Sequence, residues 1–271
     1  MVAFTDKDHK YYSIEGPAID WISITTLVHA FCPVFDAPVQ AVKSSKNTKS
    51  KWYGMTPEAI IAAWDAERDR STELGTWYHN KREAELLTPE SRAMNNIHAP
   101  NIQDGVKYAL PQGLEEGTYP EFLCYLASAG ICGQSDLVKV TGDLVNIKDY
   151  KTSKEIRSKG YGNSYTGTQM MLSPMSHLDD CEISHYSLQL SLYMYIILRH
   201  NPNLKPGKLI IEHVSFEEEG QNQYGYPIHK VVNGEPVVKE VKEIELQYKK
   251  NECMAIMNWL KNNKQKLIKH A

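Results

Sequence analysis

A chain of 271 residues, 42% of them hydrophobic and 23% charged, has the apolar material for one medium domain with a proper core. Its net charge of −3 argues against indiscriminate binding to nucleic acid, and no apolar run approaches the ~20 residues that a membrane helix needs. The five cysteines (Cys32, Cys124, Cys132, Cys181, Cys253) are scattered without a C-x-x-C pair, which argues against a zinc ribbon or a four-cysteine iron–sulfur site and for reduced, mostly buried thiols. The opening MVAFTDKDHKYYSIEG has no basic region followed by an apolar stretch, so the expected location is intracellular, with no membrane partner.

In chain order, residues 38–55 read as an exposed loop carrying Lys43, Lys46, Lys49 and Lys51. Thr56-Pro57-Glu58 starts a helix: a threonine cap, proline at the first helical position and an acid at the positive end of the dipole. That helix is expected to run to about 71, a second from 75 to 87, and a short one near 102–110. From Tyr119 the period becomes strand-like. Residues 119–127, 131–140 and 144–151 are predicted strands, the last two joined by a Thr141-Gly142-Asp143 turn. An apolar helix follows at 184–200, then strands at 207–216 and 237–246 and a closing amphipathic helix at 247–268. The tail from Lys249 to His270 carries six lysines against one glutamate. It and the earlier lysine run are either solvated surfaces or tracks for a phosphate backbone. The polarity of 38–55 and 155–176 marks both as segments expected to order on nucleic acid. The expected architecture is α/β, a central mixed β-sheet flanked by helices. It forms a single domain: a helical part over about 1–118, core sheet and helix over about 119–216, and strands with a closing helix over about 217–271.

The segments that carry chemistry are Gly133-Gln134-Ser135-Asp136 and Ile147-Lys148-Asp149-Tyr150-Lys151-Thr152. Side chains alternate along a strand, so Asp149 and Lys151 share a face while Tyr150 takes the other. Asp136 lies across the hairpin, and the turn can gather two carboxylates and one ammonium. Paired carboxylates repel, and hard oxygen donors suit Mg²⁺ or Mn²⁺. Such an ion can polarise a phosphoryl oxygen and acidify a bound water, with the lysine stabilising charge on the phosphate. Taken alone, D-x-K on a strand is a surface charge pair. On the preceding helix, His79 and Glu83 stand at i, i+4 behind Gly75, and no HExxH accompanies them. In the apolar helix Gln189 and Tyr193 are polar on one face, either locking the core or reaching into a site. A second metal set, His177-x-x-x-Cys181-x-x-x-His185, would share a face only in a helix that began early.

This ordered set resembles the RecB-like branch of the PD-(D/E)XK nuclease superfamily. The likeness rests on H-x-x-x-E at 79–83, an acid at Glu121, G-x-x-D at 133–136, D-Y-K-T at 149–152 and Q-L-x-x-Y at 189–193. In addition, Ile22-Ser23-Ile24-Thr25-Thr26-Leu27 looks like the S-V-T-x-[IL] segment of the mitochondrial genome maintenance exonuclease and related phage nucleases, and Ser173-Pro174-x-x-His177-Leu178 looks like the phage members. The resemblance implies a restriction-endonuclease-like core. It implies that Asp136, Asp149, His79 and the Tyr150 carbonyl ligate Mg²⁺ or Mn²⁺, and that Lys151 is the catalytic lysine. Gln189 and Tyr193 would support the site or touch the scissile nucleotide, Glu83 and Glu121 would be supporting or merely structural, and Ser23, Thr25 and Lys154 would contact phosphate. The cysteines do not reproduce the iron–sulfur arrangement of some relatives, so no such cluster is expected. The implied function is a DNA exonuclease acting on single strands or resected ends in phage-type or bacterial replication and recombination. The alternatives are an endonuclease with the same site, a non-cleaving nucleic-acid-binding module and, with no Gly-rich phosphate loop to support it, a small-molecule phosphoesterase.

Overall fold

The computed structural model describes residues 1–5, 7–8, 10–163 and 167–268. The chain opens with the hairpin β1 (Val2–Thr5) and β2 (Lys10–Ser13). Strand β3 (Ile22–Ser23) then leads directly into α1 (Ile24–His29). Next come α2 (Ala37–Lys46), α3 (Pro57–Leu86) and α4 (Pro89–Asn95), followed by β4 (Asn101–Gln103) and β5 (Val106–Tyr108). These last two join the first hairpin in a small sheet of order β2-β1-β5-β4, so the N-terminal part is not wholly helical.

Three sequence expectations fail here. Residues 38–46 are not loop but most of α2, while 47–55 form turns that the chain itself orders. Asp36 caps α2 by accepting the Val39 N–H at 3.0 Å, and Trp52 is buried against Ala41, Ile60 and Ala63. Lys51 folds over the rings of Trp52 and Tyr226 and donates to the Tyr224 carbonyl at 2.6 Å, so it is committed to this cluster. The two helices expected around Gly75 are one helix of 30 residues. An interior glycine costs about 1 kcal/mol of helix propensity. Here it permits close approach, because a Cβ at position 75 would stand 3.4 Å from Thr152 Oγ1. The helix expected near 102–110 is the β4–β5 hairpin, turned by Asp104-Gly105 at φ 50° and 75°, the left-handed pair of a type I′ turn.

The expected strands from Tyr119 onward form as β6 (Gly117–Leu126), β7 (Ile131–Thr141) and β8 (Leu144–Lys151). The connection that follows holds β9 (Gly162–Asn163) and β10 (Gly167–Thr168), and its Met171 and Met175 are buried in the main core, so much of 155–176 is ordered by the chain itself. Helix α5 (Glu182–His200) crosses to β11 (Lys205–Phe216), which runs parallel to β8. Short strands β12 (Glu218–Gln221), β13 (Pro227–His229), β14 (Val231–Val232) and β15 (Glu235–Pro236) make two hairpins before β16 (Val238–Leu246) and α6 (Lys250–Ile268). Lys269 and His270, the end of the basic tail, and residues 164–166 lie outside the described residues.

The result is a mixed sheet flanked by helices. Strand order is β16-β11-β8-β7, with β6 along the far edge of β7 and β3 beside β7 on the β8 side. On one face Ile147, Ile211 and Val138 pack with α1, α5 and α6; on the other Tyr150, Val214 and Phe216 meet Tyr78 of α3. Helix α3 is latched to the sheet by Glu212, which accepts from Tyr78 Oη at 2.9 Å and from Lys148 Nζ at 2.9 Å. That latch fixes the rotation of α3 and so the direction of its neighbour His79. Among the described residues no helix is long and apolar enough to cross a membrane.

Candidate active site

The site begins with a gap in the sheet. Strand β8 pairs with β7 only over Leu137–Thr141, and β3 pairs with the same edge of β7 only at Ile131 and Cys132. Between them, among the described residues, Gly133–Asp136 have no strand neighbour on that edge, and β8 splays away after Lys148. Its Tyr150 N–H, having no β7 carbonyl to meet, donates to Asp136 Oδ2 at 2.7 Å. The strand-alternation expectation holds: Asp149 and Lys151 share a face, with Lys151 Nζ 2.5 Å from Asp149 Oδ2, while Tyr150 packs on the α3 side. Asp149 is nonetheless enclosed: it pairs with Ile211 of β11 on one side, faces the gap on the other, and is only 2% exposed.

Three further groups close on the gap. From α3, His79 Nδ1 lies 3.5 Å from Asp136 Oδ2, and its Nε2 lies 3.1 Å from the Tyr150 carbonyl. From α5, Gln189 donates to Tyr193 Oη at 3.2 Å beneath the cluster. From β6 comes Glu121, at φ 50°. A left-handed, non-glycine residue inside a strand stores strain that surrounding contacts must hold. The β6–β7 ladder runs through Pro120↔Leu137 and Phe122↔Ser135 but breaks at the Glu121–Asp136 position between them. Alternation changes phase there: Tyr119 faces the main core, and so do Phe122 and Cys124. The kink aims Glu121 at the gap, where His79, Glu121 and Asp136 offer ligand atoms all within 4.8 Å of one another.

The electrostatics follow from crowding acids in a buried place. Burial, then the facing Asp149 carboxylate, hold Asp136 well above the usual carboxylate range. Burial and Asp136 push Glu121 up to about 7, opposed by Lys107 at 3.4 Å. Burial works against the charged form of Lys151, but Asp149 and Asp136 outweigh it and push the ammonium upward, so it stays charged. Among the described residues Gln134 Oε1 is buried without a hydrogen-bond partner. An orphaned acceptor beside clustered acids and an imidazole completes a donor set that fits a hard divalent cation.

A cleft of about 670 Å³ runs over these groups, lined also by Ser23, Thr25, Glu83 and Lys107. It adjoins a second of about 600 Å³, lined by Arg68, Thr72 and His185, and the two share Thr25, Gly75, His79, Lys151 and Gln189. The structure therefore gathers every expected site residue except Lys154, which is exposed and lines a separate hollow with Arg70 and His229. Ser23 is occupied as the cap of α1, accepting the Thr26 N–H at 3.0 Å. The set His177, Cys181, His185 does not assemble. His177 meets Glu252 Oε1 at 3.2 Å, Cys181 Sγ meets Ser184 Oγ at 3.4 Å, and His185 turns to Asp180. Sequence reasoning missed Lys107 and Gln134, whose Nε2 bonds Glu121. The Asp104-Gly105 turn was the signal that could have placed Lys107 on a strand.

Gly133 is the glycine this geometry requires. A Cβ there would stand 2.7 Å from Tyr193 Cε1 and 3.4 Å from Ile24 Cβ, both in the core. Gly133→Ala is expected to lower stability by about 1–3 kcal/mol in urea melts. Wild-type stability would mean that the Tyr193 ring is free to move aside.

No family model matches this sequence, and no curated protein matches it. A solved structure described as "Crystal structure of SSO0001" aligns over 91% of this chain and 78% of that chain, at 12% identity and a TM-score of 0.34, a likeness that carries no argument about fold or function.

Proposed function

We propose that this chain is a divalent-cation-dependent deoxyribonuclease with a PD-(D/E)XK core, hydrolysing phosphodiester bonds at single-stranded or resected DNA ends in replication or recombination. The observation that carries the reading is the convergence of Asp136, Asp149, Lys151 and His79 at one split between β7 and β8. Support for the core comes from the antiparallel run β6-β7-β8 followed by the α5 crossover into parallel β11.

Asp136, Glu121 and His79 would hold the cation, Mg²⁺ or Mn²⁺, with Asp149 and the Tyr150 carbonyl beside them. When bound, it supplies Lewis-acid stabilisation of charge on a phosphoryl oxygen. The rest is work for the protein. Lys151, kept charged by its two acids, donates to a phosphate oxygen as negative charge grows there. Asp149 aims that ammonium, and the Tyr186 ring, 5.0 Å from Nζ, walls its other side. Gln189, braced by Tyr193, presents an amide to both clefts. Arg68 lines one cleft and Lys107 the other, cations suited to phosphates flanking the one under attack.

The test compares linear and circular single-stranded DNA with Mg²⁺ or Mn²⁺. Loss of the linear substrate alone is the expected result. Equal loss of both would make the chain an endonuclease with the same site. No cleavage of either substrate or of duplex DNA would overturn the reading in favour of a binding module.

A further inference from the structure

We propose that Cys32, Asp180 and His185 form a second, separate metal site of the zinc class. Cys32 follows α1, whereas Asp180 and His185 flank the start of α5, and Cys32 and His185 are 153 positions apart in sequence. Cys32 Sγ lies 3.3 Å from His185 Nε2, and the same Nε2 lies 2.7 Å from Asp180 Oδ1. The three ligand atoms fall within 4.8 Å of one another.

Two simpler readings fit less well. A cysteine–histidine–aspartate relay needs the thiol and the carboxylate on opposite ring nitrogens, and here both meet Nε2. A hydrogen-bonded cluster accounts for the His185–Asp180 contact and for Cys32 Sγ donating to the Val28 carbonyl at 3.7 Å, but neither bond draws the sulfur to His185 Nε2. Tetrahedral zinc bonds of about 2.0–2.3 Å put donor atoms roughly 3.4–3.6 Å apart. The sulfur–nitrogen spacing is already close to that, and replacing the His185–Asp180 hydrogen bond by a shared cation widens the other spacing by roughly 0.7 Å.

The surroundings are those of a ligand set. Gln169 Nε2 donates to Asp180 Oδ2 at 2.7 Å, which orients the carboxylate and leaves Oδ1 for the cluster. A thiolate, a carboxylate and a neutral imidazole balance a dication, and mixed sulfur, nitrogen and oxygen donors favour Zn²⁺ over Mg²⁺. His185 reaches the wall of the cleft, where His29 also stands. Zinc here would tie α1 to the start of α5, bracing one side of the double cleft without entering the Asp136–Asp149 cluster.

The test loads the purified chain with Zn²⁺ or Co²⁺ alone, removes free metal by gel filtration, and measures metal content and absorption. The expected result is about one tightly held equivalent, with a sulfur-to-cobalt charge-transfer band, in the wild type and in Asp136→Asn. Cys32→Ser, checked for native fold by circular dichroism, is expected to lose the band and most of the metal. Asp180→Asn is expected to weaken binding by roughly 10-fold or more. No retained metal in the wild type, cobalt bound without the sulfur band, a band surviving in Cys32→Ser, or a band lost in Asp136→Asn would each overturn the proposal. None of these readouts depends on whether the cleft cuts DNA.

Discussion

Asp136→Asn is expected to cut cleavage by roughly 10³-fold or more while leaving the metal-free protein at least as stable as the wild type. Asparagine keeps an oxygen to accept the Tyr150 N–H that Asp136 Oδ2 accepts at 2.7 Å, so the splayed strand stays anchored. What it removes is a buried negative charge facing Asp149, and that charge is unfavourable without a cation. The sign can be followed with pH. A carboxyl whose folded pKa is raised contributes stability that is fully present below its unfolded pKa and is lost as pH rises through the folded one. For Glu121 that interval runs from about 4.5 to about 7. In chelator, wild-type stability is therefore expected to fall across it by about 3 kcal/mol from Glu121 alone. Asp136 adds a loss of the same sign, which Asp136→Asn removes. Urea melts at several pH values would show a shallower fall for the variant, and added Mn²⁺ would stabilise the wild type but not the variant. A variant that cleaves within tenfold of wild type would sink the assignment of Asp136.

Lys151→Ala is expected to be inactive too, but for the opposite structural outcome. The Asp149 side chain beside it is buried, and Lys151 Nζ is the cation 2.5 Å from its Oδ2. Removing one partner of a buried pair leaves the other charge uncompensated, a loss of about 3–5 kcal/mol. With Asp149 only 2% exposed, the uncompensated charge lies in the interior and the fold is weakened. Lys151→Ala combined with Asp149→Asn should recover most of the lost stability and none of the cleavage, a non-additivity that a double-mutant cycle measures directly. Full stability in the single variant would mean that the pair is solvated and the ammonium replaceable.

Much of the site was legible because it is local. The D-Y-K alternation, the turn at Gly142 and the threonine cap before Pro57 involve residues within a few positions of one another, where backbone geometry alone decides which side chains meet. Gly75 misled because propensity marks an interior glycine as a break, whereas α3 runs through it pressed close to Thr152. The Asp104-Gly105 hairpin was readable and was missed.

Sequence by itself determined the strand–turn–strand carrying Asp136, Asp149 and Lys151, the apolar helix bearing Gln189 and Tyr193, and the Thr56 cap, all through periodicity, turn and capping chemistry. Tertiary structure alone decided that Glu121 joins the cluster, since a left-handed residue shifts the alternation on which a strand reading depends. It also decided that Lys154 falls outside the cleft and that Cys32 meets Asp180 and His185. Those outcomes rest on how separate elements pack. Contacts between residues so far apart in the chain leave no period and no spacing to read.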